Sequence, residues 1–244
     1  MREAVIVEAL RTPIGKGKHG SKGALSAFHP AHLLAKVQQA VVERSGIDPA
    51  EIEQIVGGCV TQAGEQSNNI ARNSWLTLGK QYSVAGTTID TQCGSSQQAN
   101  NFVNALVKAG SIDVGIACGV EVMSHVGLGA NVMHGPGFFQ TADWPWDSTL
   151  DQFASAERIA KKRGITREEC DAFALRSQTL AIKAHEEGRF KREILPIDAP
   201  VLGDDGQPTG TTRTIIADQG VRASTAEGLK ALPTLVDGGV HTAA

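Results

Sequence analysis

Two spacings of apolar residues alternate along the first half of the chain, and together they predict an α/β fold. Short apolar runs predict strands at residues 4–9, 55–60, 87–91 and 113–119. Residues 31–45, and the segment from Gly64 to Gly79, place apolar side chains three and four positions apart, as helices do. Strands that alternate with helices favour a largely parallel sheet.

The pattern changes after Met123. Residues 124–148 are rich in Gly, Met, His, Trp and Phe without any period, which is typical of a loop that covers a pocket or contacts another subunit. Helices follow at residues 152–163 and, from a capping box at Thr166, up to Gly188, with Cys170 expected as an inert core residue. Asp205-Gly206 predicts a turn between two extended runs. We expect a core domain at residues 1–124 and an inserted, helical and loop-rich domain at 125–244.

Composition narrows the classes of function. The formal net charge of −3 gives nucleic-acid binding no electrostatic support. No apolar run approaches the roughly 20 residues that a membrane span needs, and the first residues lack the apolar core of a signal peptide. We therefore expect a cytoplasmic protein that uses neither nucleic acid nor membrane. Neither the four cysteines nor the seven histidines have metal-ligand spacing, so no metal site is predicted.

The segment from Thr87 to Asn100 carries the candidate chemistry. Four residues with strand character lead to Cys93, which is followed by Gly94 and two serines before a helical pattern begins. A helix N-terminus has partial positive charge and stabilises a thiolate, so Cys93 is a candidate nucleophile. The alternative is that Cys93 is a small buried residue at the end of a strand.

Four stretches in order resemble the thiolases, which transfer acyl groups to and from coenzyme A. They are Val5–Gly15 (VIVEALRTPIG), Thr87–Asn100 (TTIDTQCGSSQQAN), Gly119–Ser124 (GVEVMS) and Asp218–Arg222 (DQGVR). The resemblance runs from near Met1 to Ala244. It implies a thiolase-like layered α/β/α core with an inserted helical and loop-rich domain, and with the C-terminal half of the family fold absent.

The resemblance also implies roles for individual residues. Cys93 would be the nucleophile, with its own backbone N–H as an oxyanion donor. Coenzyme A or acyl-CoA would be a substrate and not a permanently bound cofactor. Its contacts would include Arg222, Ser224 and Ala243, together with Gln152 at the start of the first inserted helix. Arg222 remains open to a second interpretation, an ordinary surface arginine, and Arg11 is expected to form a salt bridge that holds its loop.

Three features of the family have no counterpart in this sequence: an Asn-Glu-Ala-Phe stretch, a Gly-His-Pro histidine and a late acid/base cysteine. We therefore expect one piece of a longer protein, inactive alone and completed by a C-terminal thiolase half from the same gene or a separate chain. A homodimer or tetramer is expected from the resemblance alone. The segment from Gly58 to Asn69 is similar to degradative thiolases acting on bulky, sterol-derived 3-oxoacyl-CoA. The alternatives are a non-catalytic CoA-binding or assembly subunit and a condensing enzyme of the ketoacyl-synthase type.

Overall fold

The computed structural model describes residues 2–17, 23–79, 83–133, 137–149 and 151–244. Its contacts divide the chain into two compact units. Unit 1 comprises Met1–Gly137 and Arg192–Gly220, and unit 2 comprises Phe138–Lys191 and Val221–Ala244. This division does not follow the expected boundary at residue 124, because residues 192–220 pack with unit 1.

A three-stranded parallel sheet lies at the centre of unit 1. Strand β1 (Gln54–Gly58) lies between β2 (Ala85–Ile89) and β3 (Gly115–Gly119). In the register of the sheet, Gly58 pairs with both Ile89 and Gly119, so the carboxyl ends of all three strands share one edge. The parallel arrangement predicted from the sequence is confirmed.

Helices cover both faces of this sheet. They are α1 (Pro30–Ser45), α2 (Ile70–Leu76) and α3 (Ser95–Ala109). A Cβ placed on Gly57 would lie 2.6 Å from the Cβ of Ala71 in α2, whereas one on the next residue, Gly58, would lie 2.8 Å from the Cβ of Ser95 in α3. Successive strand residues point to opposite faces, so α2 and α3 pack on opposite sides of β1. Unit 1 is thus a layered α/β/α structure.

The second segment of unit 1 forms a hairpin. Strands β4 (Ile197–Leu202) and β5 (Pro208–Ile215) are antiparallel, and Gly206, at a φ of 77°, lies in the predicted turn. One apolar cluster joins the hairpin to the first segment of the unit; its buried members are Leu25, Leu33, Val122, Ile197, Ala199 and Ile215. Because of this cluster, the hairpin packs with the first segment of unit 1.

The predicted buried strand at residues 4–9 is wrong. The backbone there pairs with no strand among the described residues, and the side chains of Val5 and Ile6 are 78% and 82% exposed. An apolar run indicates what a segment prefers, but a strand also needs a neighbour to bond with. The segment is held at Arg2, which forms an ion pair with Asp113, and at Arg11, whose N–H donates to the carbonyl of Glu193 at 2.9 Å.

Unit 2 contains the predicted helices α5 (Gln152–Arg163) and α6 (Arg167–Glu186), and a short α7 (Ala226–Lys230); unit 1 also has the single turn α4 (Ala130–Met133). The capping box between Thr166 and Glu169 is present as predicted. The expectation that Cys170 lies in the core is wrong: it is half-buried and lines a cavity, and no residue of α6 is fully buried. The apolar stripe of a helix shows which face is apolar, not what covers it.

Candidate active site

Cys93 lies in the turn between β2 and α3, at the carboxyl edge of the parallel sheet. Strand β2 ends at Ile89 and α3 begins at Ser95, so the cysteine precedes the helix by two residues. Its side chain is exposed. Gln92, immediately before it, has a φ of 51°, in the left-handed region that non-glycine residues rarely adopt. Backbone strain of this kind is concentrated at functional sites, and ligands of open α/β sheets bind at this edge.

Hydrogen bonds within the turn hold this conformation. The Gln92 N–H donates to Oδ1 of Asp90 at 2.7 Å. The hydroxyl of Ser95 accepts from the Thr91 N–H at 2.9 Å and donates to the Gln92 carbonyl at 2.6 Å. The N–H groups of Gly94 and Ser95 donate to the carbonyls of Thr91 and Gln92, at 3.2 and 3.0 Å. The turn is therefore built from its own polar groups around an exposed sulfur.

Two glycines at the ends of neighbouring strands let the start of α3 come close to the sheet. A Cβ on Gly58 would lie 2.5 Å from the backbone carbon of Ser95, and one on Gly119 would overlap the hydroxyl of Ser96. Any larger residue would push the helix away. The missing side chains at Gly58 and Gly119 therefore allow the start of α3, two residues after Cys93, to pack directly on the ends of β1 and β3.

A carboxylate ties together the loops that follow β1 and β3. Glu121 accepts from the Val60 N–H at 2.9 Å and from Nε2 of Gln66 at 2.8 Å. Gln66 is fully buried, and its Oε1 accepts from the Val122 N–H at 2.6 Å. This role of Glu121 and Gln66 is not predicted by the sequence. A polar residue inside the GVEVMS stretch was the available signal, but nothing in it identified the partners.

The other cysteines are less suited to nucleophilic chemistry. Burial, together with the charges of Glu121 and Asp90, raises the pKa of the Cys59 thiol to about 12. Burial raises the pKa of Cys118 to about 11, and burial also raises that of Cys170. All four cysteines lie in described parts of the chain, and Cys93 is the exposed one. An exposed thiol beside a helix start is the arrangement expected of a reactive cysteine.

Unit 2 contains a separate cavity of about 580 Å³. Its wall combines apolar side chains with a few polar groups, as small-molecule sites do. The lining residues are Ile165, Glu169, Cys170, Phe173, Ala174, Ser177, Gln178, Arg222, Ser224, Leu229, His241 and Ala244.

Two of the four residues expected to contact coenzyme A, Arg222 and Ser224, line this cavity. Ala243 is exposed and is not part of the lining, although its neighbour Ala244 is. Gln152 is the exposed first residue of α5 and does not line the cavity either.

The backbone N–H of Arg222 donates to Oε1 of Gln178 at 3.1 Å, which fixes the main chain at this point. Across the described ranges, no carboxylate pairs with the Arg222 guanidinium. An unpaired guanidinium on a cavity wall is suited to an anionic ligand. Asp218 of the same motif instead binds Arg11, which confirms the salt bridge expected for that residue.

Two further observations concern metal binding and membrane-spanning helices. Nowhere in the described ranges do three His, Cys, Asp or Glu side chains come together to hold a metal ion. The helices of the described residues include none that is both long and apolar enough to cross a membrane.

A layered α/β unit that presents an exposed cysteine at a strand-to-helix turn has the arrangement of a candidate cysteine nucleophile. The family model described as "Thiolase, N-terminal domain" matches residues 4–244. The chain belongs to the thiolase family and corresponds to the N-terminal domain of that fold.

Similarity to individual proteins agrees with this family membership. The chain is 36% identical to the steroid 3-ketoacyl-CoA thiolase FadA6 of Mycobacterium tuberculosis, covering all of this chain and 58% of the relative. It is also 36% identical to a 3-ketoacyl-CoA thiolase of Bacillus subtilis, covering 92% and 57%. The crystal structure of the Bacillus anthracis acetyl-CoA acetyltransferase superimposes with a TM-score of 0.81 at 32% identity, covering 99% and 61%. The chain therefore spans less than two thirds of the length of these relatives.

Proposed function

We propose that this chain supplies the nucleophile of a thiolase, which transfers an acyl group between 3-oxoacyl-CoA and coenzyme A. The observation that carries the proposal is the exposed Cys93 in a strained turn at the carboxyl edge of the sheet. Family membership and relatives named 3-ketoacyl-CoA thiolase support the reaction class. The alternative of a ketoacyl-synthase type of enzyme has no comparable support.

In the degradative direction the Cys93 thiolate attacks the 3-oxo carbonyl carbon of 3-oxoacyl-CoA. The C2–C3 bond then breaks, the shortened acyl group stays on the sulfur as a thioester, and C2 takes a proton as acetyl-CoA leaves. The thiol of a second coenzyme A passes its proton to an acid/base group and attacks this thioester, which releases the shortened acyl-CoA and restores the Cys93 thiolate. The backbone N–H of Cys93 is the oxyanion donor we propose, since the next two N–H groups of the turn are already engaged.

Coenzyme A enters this scheme as a substrate held by the unit 2 cavity. Arg222 would bind the anionic groups of coenzyme A, and Ser224 would hydrogen-bond to its polar groups. The apolar side chains of the cavity wall would pack against its less polar surface. The volume, about 580 Å³, lies within the range of small-molecule sites. Ala243 and Gln152 remain candidate contacts.

The proton transfers at C2 need an acid/base group, which we propose comes from a further thiolase segment. It would correspond to the part of the relatives that this chain does not span. Within unit 1, Cys59 and Cys118 have pKa values raised to about 12 and about 11, unsuited to moving a proton near neutral pH. A homodimer or tetramer is part of the same proposal.

For the acyl chain we propose a bulky, steroid-type 3-oxoacyl group. Similarity to a protein named steroid 3-ketoacyl-CoA thiolase supports this choice. Thiolysis rates of the completed enzyme on a steroid side-chain 3-oxoacyl-CoA and on acetoacetyl-CoA test it. A preference for the four-carbon substrate would contradict the proposed specificity while leaving the reaction class intact.

Acylation of Cys93 is the direct test of the function. Exchange with acetyl-CoA forms the thioester and releases coenzyme A, without any proton transfer at carbon. We expect peptide mass spectrometry, after acid quenching, to find an acetyl group on the Cys93 peptide of the chain and none on the Cys93→Ser variant. The Cys59 and Cys118 peptides are internal controls. If Cys93 is alkylated by iodoacetamide but never acetylated, even beside a C-terminal thiolase half, the chain is a non-catalytic subunit and the proposal is wrong.

A further inference from the structure

A carboxylate of α5 holds the segment that contributes His241 to the unit 2 cavity. Glu157 accepts from the backbone N–H of Val240 at 3.0 Å and from that of His241 at 2.9 Å. The same carboxylate lies 2.8 Å from Nδ1 of the His241 ring. A Cβ on Gly239 would come within 2.5 Å of Oε1 of Glu157, so glycine there makes room for the carboxylate. Main chain and ring are therefore fixed by a single residue 84 positions away.

These contacts determine which ring nitrogen of His241 carries a proton. The hydrogen bonds from the two backbone N–H groups and the ring of His241 lower the pKa of Glu157, the His241 N–H contributing most, so it is a carboxylate at neutral pH. A carboxylate only accepts, so Nδ1 must donate. In the neutral ring Nε2 is then the acceptor.

The open nitrogen belongs to a residue of the cavity wall. His241 lines the cavity, and its side chain is 30% exposed while that of Glu157 is 17% exposed. No hydrogen bond to Nε2 forms within the described part of the chain. A ring oriented through one nitrogen, with the other left open, is the arrangement by which carboxylates orient functional histidines.

We propose that His241 binds the ligand of the unit 2 cavity, with Nε2 accepting a hydrogen bond from an N–H or hydroxyl group of coenzyme A. Glu157 is its positioning residue. This inference rests on the proposed function, because it takes coenzyme A as the ligand. It adds a directional hydrogen bond to the cationic contact at Arg222, so the cavity would select for a hydrogen-bond donor as well as for negative charge.

Two substitutions separate ligand binding from a structural role. His241→Asn keeps an amide N–H near the position of Nδ1, and so keeps the bond to Glu157, but it removes the Nε2 acceptor. Glu157→Gln keeps the His241 ring but weakens its orientation. If His241 acted only through Glu157, the Asn variant would bind coenzyme A as the wild type does.

The experiment is calorimetric titration of the 244-residue chain with coenzyme A, beside thermal unfolding of each variant. We expect about fivefold weaker binding for His241→Asn, since one hydrogen bond is lost, with a melting temperature within about 2 °C of the wild type. For Glu157→Gln we expect weaker binding and a lower melting temperature. The loss in His241→Asn should appear with only one half of the ligand, either pantetheine or adenosine 3′,5′-bisphosphate.

The outcomes distinguish this inference from the proposed function. Equal affinity of wild type and His241→Asn overturns the role of His241 and leaves the proposed function standing. An equal loss with both halves of the ligand also contradicts a single hydrogen bond. If neither the wild type nor Arg222→Ala binds coenzyme A, the cavity is not a coenzyme A site. The inference is then wrong together with that part of the proposed function.

Discussion

The guanidinium of Arg11 forms a two-point hydrogen-bonded ion pair with Asp218, 207 residues further along the chain. Nη1 and Nη2 lie 2.7 and 2.9 Å from Oδ1 and Oδ2 of the aspartate. Oδ1 also accepts from the Ile14 N–H at 2.8 Å. The hydrogen bond that Arg11 donates to Asp218 raises the pKa of the guanidinium, so the arginine is charged at every physiological pH. The pair fixes both the loop at residues 11–16 and the entry to the DQGVR segment.

Breaking this pair should cost stability. The Asp218 side chain is only 10% exposed, so Asp218→Asn would remove a largely buried carboxylate that pairs with the half-buried guanidinium of Arg11. We expect the free energy of unfolding, measured with urea, to fall by about 2 kcal/mol. Asp147→Asn is the matched control, because Asp147 pairs with Arg158 but is 92% exposed. That variant should change stability by less than about 0.5 kcal/mol, and equal effects of the two would contradict the assignment.

Gly58 should tolerate no side chain. In Gly58→Ala the new methyl group meets the backbone of Ser95, so the start of α3 must move. We expect a loss of about 1–3 kcal/mol in unfolding free energy. We also expect slower acetylation of Cys93, which follows from the displaced turn. Gly127→Ala is the control, since a Cβ there meets nothing within 4 Å, and it should leave both quantities unchanged.

The four thiols should be alkylated in a predictable order. Cys93 is exposed, whereas Cys59 is 1% exposed and its pKa of about 12 leaves roughly one thiol in ten thousand ionised at pH 8. Peptide mass spectrometry during reaction with iodoacetamide at pH 8 should find Cys93 modified first, and Cys59 and Cys118 last. Modification of Cys59 before Cys93 would show that the described turn is not the form present in solution.

His125 should make stability depend on pH. Its Nδ1 lies 2.8 Å from Oε2 of Glu65, and its Nε2 lies 2.7 Å from the carbonyl oxygen of Ser26. Burial lowers the pKa of His125, but the Ser26 carbonyl and the Glu65 carboxylate outweigh it, and the net pKa is raised. His29 also faces Glu65, at 4.0 Å. Both ring nitrogens of His125 therefore meet acceptors, which favours the charged imidazolium.

Because the pKa of His125 is higher in the folded than in the unfolded chain, its contribution is fully present below the unfolded value, about 6.5, and is lost as the pH rises through the folded value. Urea unfolding of wild type and His125→Gln should differ most near pH 6 and least near pH 8.5. Glu65→Gln should reduce this pH dependence. A difference between wild type and His125→Gln that grows with rising pH would contradict the geometry.

Local features of the fold could be predicted because they depend on neighbours in sequence. Gly46 ends α1 at a φ of 72°, and Thr166 caps α6 as its capping box indicates. The prediction of a strand at residues 4–9 was wrong for the opposite reason. A strand depends on a neighbouring strand to pair with, and the apolar pattern of one segment does not specify that neighbour. The hairpin at residues 197–215 was predicted as two extended runs joined by a turn, but its packing against Leu25 and Val122 could not be predicted, because those residues lie far away in the sequence.

In the candidate site, too, some features could be predicted from the sequence and others could not. The position of Cys93 at a strand-to-helix turn followed from the change of hydrophobic period, and the structure confirms that position. The left-handed conformation of Gln92 could not be foreseen, because glutamine has no preference for it. Nor could the contact of Glu157 with His241, which joins a helix residue to a loop residue 84 positions away and has no local signal.

The division of unit 1 into two segments has a consequence for synthesis on the ribosome. The apolar cluster that joins the hairpin to the first segment of unit 1 has six buried members. Half of them are translated only after helices α5 and α6 of unit 2, namely Ile197, Ala199 and Ile215. Elongation over the roughly 60 residues from Gly137 to Ile197 takes about 3–12 s. During this interval Leu25, Leu33 and Val122 lack their partners while α5 and α6 emerge. The nascent chain therefore exposes part of its core for seconds, and this is the period in which a chaperone would bind it.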